Sequence, residues 1–221
     1  MNMKQRNAGF TLIEIAIVLV IIGLLLGGVL KGQEMIENAK IQSLRNDMDG
    51  VITAYYAYQN RYRSLPGDDP KANNAGRGWA DAAAGGGNGA LANANAFDAG
   101  NNENQLLWQH LRYSGLISGN PAGTTNNTGG RANPLHGYNG KLGISNTTAA
   151  WGLGLTGNIL CAGSVPGKAA EAIDAALDDG LSNTGTVRAI AGTNNAEPAG
   201  TTAATTYVDD GNTLYTVCRK L

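Results

Sequence analysis

Glu14 is a lone carboxylate near the start of an apolar run, in the string Lys4-Gln-Arg-Asn-Ala-Gly-Phe-Thr-Leu-Ile-Glu-Ile-Ala-Ile-Val-Leu-Val-Ile-Ile-Gly23. In apolar surroundings such a group attracts a cation far more strongly than it would at a wet surface, because the charges are poorly screened. Left alone at the centre of a membrane helix, a charge opposes insertion by roughly 2.5 to 3.5 kcal/mol, and near one end it is still a cost. A partner for Glu14 is therefore expected. The other groups able to do chemistry are few: Cys161 and Cys218, His110 and His136, the pair Asp68 and Asp69, and the trio Asp174, Asp178 and Asp179.

None of these has the spacing of an enzyme. The chain lacks a Gly-x-Ser-x-Gly elbow and a phosphate-cradling glycine loop, and its histidines have no activating partner in sequence. Two cysteines and two histidines do not fall into a zinc pattern. No catalytic residue, metal site or cofactor is assigned, and the chain is not read as an enzyme. His110 is read as a packed or capping residue. Turns and caps account for Asp68 and Asp69 in Arg63-Ser-Leu-Pro-Gly-Asp-Asp-Pro70 better than calcium does. A helix end followed by a turn does the same for Asp178-Asp179-Gly180, whose spacing with Asp174 is not that of an EF-hand.

The elements that must position these groups begin with the apolar run itself. Phe10 to Leu30 is 21 residues, which at roughly 1.5 Å per residue spans the ~30 Å core of a bilayer. Lys4 and Arg6 precede it without an acidic residue, so the N-terminus is expected in the cytoplasm and all that follows Leu30 beyond the membrane. No Ala-x-Ala-like site follows the run, which weakens a conventional signal-peptidase reading.

Past the membrane the helix continues. Ile41, Leu44, Met48, Val51, Ile52 and Tyr55 recur at three- and four-residue intervals, and no proline interrupts Phe10 to Tyr62. Residues 31–62 thus form an amphipathic continuation of the membrane helix, ended by the turn-forming string after Tyr62. Gly23, Gly27, Gly28 and Gly32 mark either a place that can unwind or two small-xxx-small pairs for close helix packing.

Composition fits an exported, loop-rich protein of one moderate domain: 221 residues, net charge -1, 32 glycines and 15% charged residues. There is no basic excess to suggest a nucleic-acid partner. Ala72–Asn102 and Gly119–Ala150 read as surface loop, with a short helix from Glu103, ended by Gly115, between them that turns Leu106, Leu107, His110 and Leu111 inward, with Trp108 a further candidate. Strands are expected around Asn158–Cys161, Thr186–Ala191 and Thr213–Arg219, and a helix over Ala169–Leu177. The sum is an α+β fold: a long N-terminal helix on a small antiparallel sheet with long loops. In an oxidising compartment Cys161 and Cys218 read as one disulfide tying the last strand to the body; two reduced buried thiols are the alternative.

The string Gly9-Phe10-Thr11-Leu12-Ile13-Glu14 resembles the type III signal of prepilins, the precursor motif shared by type IV pilins and type II secretion pseudopilins. The close match covers about the first thirty residues. The resemblance implies a pilin-like fold, residues 1–9 as a cytoplasmic leader, 10–30 as the transmembrane and assembly helix, and 63–221 as an extracytoplasmic domain. It implies cleavage between Gly9 and Phe10 by a prepilin peptidase that also methylates the Phe10 amine. It further implies that Glu14 neutralises that amine on a neighbouring subunit during assembly. The partners so implied are the peptidase/methyltransferase, other pilin or pseudopilin subunits, the inner-membrane assembly machinery and membrane lipid. The place implied is the bacterial inner membrane, then a filament. The commonest type IV pilin pattern has a proline kink near the end of the membrane segment, and this sequence has the glycine cluster there instead. Two roles stay open: a structural subunit of a type IV pilus or type II secretion pseudopilus, and a minor pilin acting as a binding module at a filament tip. Related pseudopilins hold calcium in a C-terminal loop, but the aspartates here are not assigned to it.

Overall fold

A computed structural model describes residues 11–79, 81–91, 96–97, 102–123, 129–146, 153–192, 195 and 206–221. The first element, α1, spans Leu12–Tyr62 as one unbroken helix. The chain forms two compact units, one up to Lys40 and one from Ile41 to Leu221.

In the first unit the described side chains from Thr11 to Leu30 are all exposed, including Leu12 at 88%, Leu24 at 73% and Leu19 at 64%. The apolar character runs all round the helix, as required where the solvent is lipid or other helices, not water. In the second unit α1 is one-sided. Leu44, Met48, Val51, Ala54, Tyr55 and Tyr58 are buried at three- to four-residue spacing, forming the stripe that the core packs against. The helix stops where Arg63 enters the left-handed region, with φ 56°, its N–H donating to the Gln59 carbonyl at 2.9 Å.

The sheet has four antiparallel strands: β1 (Leu142–Ser145), β2 (Ile159–Pro166), β3 (Val187–Ala191) and β4 (Leu214–Lys220), in the order β1-β2-β4-β3. Alternation along the strands sends Leu142, Leu160, Ala162, Val187, Ala189, Tyr215 and Val217 into the main core with α1. Two more helices complete that layer, α2 (Glu103–Tyr113) through Leu107, Trp108 and Leu111, and α3 (Gly167–Leu177) through Ala169, Ala170 and Ile173. The intervening strand residues Ile159, Cys161, Ile190 and Cys218 form a second, smaller cluster with Phe97, Leu153 and Leu155. Both faces of the sheet are therefore covered.

Cys161 and Cys218 are bonded to each other and lie directly opposite across β2 and β4. Their separation of 57 residues corresponds to about 4 kcal/mol of loop-closure entropy removed from the unfolded chain.

Three expectations are corrected. Gly119–Ala150 contains β1, whose four residues are all buried, and the strand is hard to read because Gly and Ser break its apolar pattern. Gly143 is there because a Cβ would collide with the backbone of Ala96, which crosses the strand closely. The described part of Ala72–Asn102 is irregular apart from one 3-10 turn at Ala75–Arg77, but it is not merely surface: Leu91 belongs to the main core and Phe97 to the second cluster. Strand β2 also runs five residues beyond Cys161, to Pro166, with an irregularity between Ala162 and Val165. The other sheet and helix expectations agree with the structure to within a residue or two.

His110 on α2 joins three segments. Its Nδ1 accepts the Gly67 N–H at 2.9 Å, which leaves the Nε2 proton to the Ala83 carbonyl at 2.8 Å. Both nitrogens are thus spoken for in the neutral ring, and burial lowers the pKa from 6.5 to about 4. The unfolded ring takes a proton near its ordinary value, so between these two values the unfolded chain binds more protons than the folded one. Stability is accordingly expected to fall as pH drops from about 6.5 to about 4, by up to about 3 kcal/mol. Urea unfolding of the full chain in detergent at pH 7 and pH 4 checks this: His110→Gln should flatten most of the dependence, and an unchanged slope would show that other groups carry it.

Candidate functional site

Glu14 occupies the first turn of α1, where the helix leaves N–H groups without partners. Thr11 stands just before the helix. Its N–H donates to Glu14 Oε2 at 2.8 Å and its hydroxyl donates to the same oxygen at 2.7 Å. The Glu14 N–H returns a longer bond, 3.3 Å, to the Thr11 hydroxyl. This is the reciprocal capping box of a Thr-x-x-Glu sequence, in which the two residues satisfy each other's backbone donors. A negative charge in a helix's first turn is also favoured by the helix dipole. Glu14 is therefore held in a fixed place with one oxygen still open to a further donor. Thr11 is assigned no role from the sequence alone, although the Thr-x-x-Glu spacing to Glu14 is the signal for such a box. Gly9 and Phe10 lie outside the described residues.

α1 is a helix long and apolar enough to cross a membrane. Among the described residues every side chain from Thr11 to Leu30 is exposed, so within its own unit this segment is left open to another phase or another molecule. Cβ atoms built on Gly23, Gly27, Gly28 and Gly32 would meet nothing within 4 Å, so no contact among the described residues accounts for the glycines.

The Asp68–Asp69 string works as a staple. Asp69 accepts the Tyr58 hydroxyl at 2.8 Å and the Lys71 N–H at 2.8 Å, and pairs with Arg77 at 2.6 Å. Burial pushes its carboxyl upward, but Arg77 and the two neutral donors outweigh that and leave the pKa below the ordinary value. The same bond drives the Tyr58 hydroxyl, already raised by burial, further up. Arg77 lies over the rings of Tyr62 at 4.7 Å and Trp79 at 5.1 Å. Asp68 accepts the N–H groups of Asn88 at 3.0 Å and Gly89 at 2.7 Å, and Glu103 accepts that of Gly86 at 2.7 Å. The glycines permit this approach, since a Cβ on Gly85 would enter the backbone of Gly67 and Asp68.

Asp174, Asp178 and Asp179 do come together, with ligand atoms within 4.8 Å of one another. Each is nevertheless engaged by protein donors. Asp174 accepts the Tyr207 hydroxyl at 2.5 Å, Asp178 the N–H groups of Thr186 and Val187, and Asp179 the Thr184 hydroxyl at 2.5 Å. Burial raises the Asp174 carboxyl. His136 is likewise structural, with Nε2 2.8 Å from the Gly163 carbonyl and a pKa lowered by burial.

A helix that is apolar on all sides for its first half and on one side for its second, packed there on a small antiparallel sheet, is an α+β layout that fits a pilin-like fold. Residues 4–30 match the prokaryotic N-terminal methylation motif, the signature of type IV prepilin-like proteins. That signature, together with this fold, supports a type IV pilin-like or pseudopilin protein. No curated protein and no solved structure matches it.

The capping box predicts a local effect. Thr11→Ala should loosen the first turn by about 1 kcal/mol and speed hydrogen exchange of the Ile13 and Glu14 amides in detergent micelles about fivefold. Thr11→Ser should not. Equal exchange in all three proteins would show that the box contributes nothing.

Proposed function

We propose that this chain is a body subunit of a type IV pilus or type II secretion pseudopilus. On this reading it enters the inner membrane with residues 1–9 cytoplasmic, is cut between Gly9 and Phe10, is methylated on the Phe10 amine, and polymerises through α1. Residues 63–221 then form the extracytoplasmic domain.

The observation that carries the reading is the unpartnered apolar half of α1 with one capped carboxylate at its start. Burying a large apolar side chain contributes roughly 1.5 to 3 kcal/mol, so a dozen of them hold the subunit in lipid or in a filament core equally well. Such contacts are non-directional and do not choose a register. A charge pair does. Cleavage after Gly9 leaves an amine with an ordinary pKa near 8, one helical turn from Glu14, and a neighbour's Glu14 is the group that neutralises it. Because Glu14 is already hydrogen-bonded to Thr11, its carboxylate is not bare while the subunit waits in the membrane.

Intact mass and N-terminal sequence of the membrane-extracted chain test the processing step. A mature chain starting at methylated Phe10 is expected when the prepilin peptidase is present, and the full precursor when it is absent; a Met1 start in both would overturn the reading. Glu14→Ala should still be cleaved, yet yield at least about tenfold fewer sheared filaments, as the loss of a charge pair worth 1.4 kcal/mol or more requires. Many copies per filament fit a body subunit, and a few per filament would instead mark a tip protein.

A further inference from the structure

We propose that the polar cleft at the C-terminal end of α1 receives the acidic surface of a second copy of this chain, so that neighbouring subunits are registered through their domains as well as their helices. This inference rests on the filament reading above.

The cleft has a volume of about 730 Å³ and is lined by Gln59, Tyr62, Arg63, Lys71, Asp68 and Asp69. The two carboxylates are already committed, Asp69 to Arg77 and Asp68 to the amides of Asn88 and Gly89. Arg63 and Lys71 are exposed, as is Arg61 on the preceding turn, and among the described residues none of the three enters an ion pair. Residues 59–77 carry Arg61, Arg63, Lys71 and Arg77 against Asp68 and Asp69, a net charge of +2. Arg63 also keeps its guanidinium at a left-handed backbone position, φ 56°, where glycine is the residue of least strain.

The compensating charge lies elsewhere on the chain. The described residues of 167–192 and 206–212 carry six acidic and two basic groups, a net charge of -4, in a protein whose total is -1. Within this stretch Glu171 and Asp209 are exposed and enter no ion pair among the described residues. Oppositely charged segments at two different places on one chain suit a heterologous contact between copies. Such a contact, when it does not close into a ring, propagates as an open helical array. Charge complementarity of this kind fixes register and rejects wrong neighbours more than it adds affinity. It therefore complements a helix core whose apolar packing is indifferent to register.

The test uses full-length subunits, half of them labelled with heavy nitrogen, assembled into filaments and joined with a zero-length carbodiimide that links an amine to a carboxylate in contact. Mass spectrometry should find Lys71 of one chain joined to an acidic residue between Glu171 and Asp210 of a differently labelled chain. Arg63→Glu with Lys71→Glu should lower filament yield about tenfold, and adding Glu171→Lys with Asp209→Lys should restore it. Should the reversed protein lose its urea transition, Arg63→Gln with Lys71→Gln carries the same test. Normal filaments in which Lys71 is unlinked between chains would overturn the proposal, as would a defect that the second reversal fails to relieve. So would a Lys71 protected by added heparin and not by assembly, which would make the cleft a polyanion site. If wild-type chains form no filaments under any condition, the assembly reading falls and this proposal with it.

Discussion

The structure depends on one helix meeting two environments. From Leu12 to Leu30 its side chains are apolar on every face and exposed; from Ile41 to Tyr58 only one stripe is apolar and that stripe is buried. A kink or break would relieve this demand by dividing the element in two, but the sequence has no proline between Phe10 and Tyr62. The second half of α1 then fixes the domain, because the sheet, α2 and α3 all bury apolar side chains in the cluster that contains its stripe. The first half fixes what the molecule must do next, because an apolar cylinder is stable only in lipid or among its like.

Beyond the sheet the domain is largely irregular backbone, and such backbone needs partners for its polar groups. Carboxylates supply many of them. Asp68 and Glu103 gather the glycine-rich segment at Gly86–Gly89, Asp69 clamps Tyr58 to Arg77, and Asp178 holds the start of β3. Each bond is worth about 1 kcal/mol or somewhat more where charge assists it, but together they order loops that have little apolar surface to bury. The Cys161–Cys218 bond does the same for the 57-residue separation it spans by limiting the unfolded chain. A protein with 32 glycines and few large apolar residues beyond α1 relies on such local ties.

What the sequence reveals follows from how local each signal is. The helix and its two halves are legible because periodicity and the absence of proline are properties of neighbouring residues. Strands β3 and β4 are legible from their β-branched and alternating residues. Strand β1 is not, because Leu142-Gly-Ile-Ser145 is short and its glycine answers to Ala96, far away in the chain. The same is true of Leu91 and Phe97, which look like loop residues until the sheet that they cover is in place. At the candidate site, the position of Glu14 stands out as a charge in an apolar run, whereas its bond to Thr11 needs the helix start to be located first. The pairing of Asp69 with Arg77 and Tyr58 depends on a fold of the chain that no spacing rule encodes.

On the filament reading proposed above, the subunit faces a conflict between holding and choosing. The apolar half of α1 supplies ample free energy for association, but its contacts are nearly the same at every axial shift and rotation. Specificity therefore has to come from groups that are few, polar and fixed in space. Glu14 meets that description because Thr11 locks its carboxylate relative to the helix. A charge held this way loses little entropy when it meets a partner, and it makes a misregistered neighbour leave an uncompensated charge in an apolar medium. The strong interaction and the selective one are thus carried by different residues of the same helix, which allows one to be tuned without weakening the other.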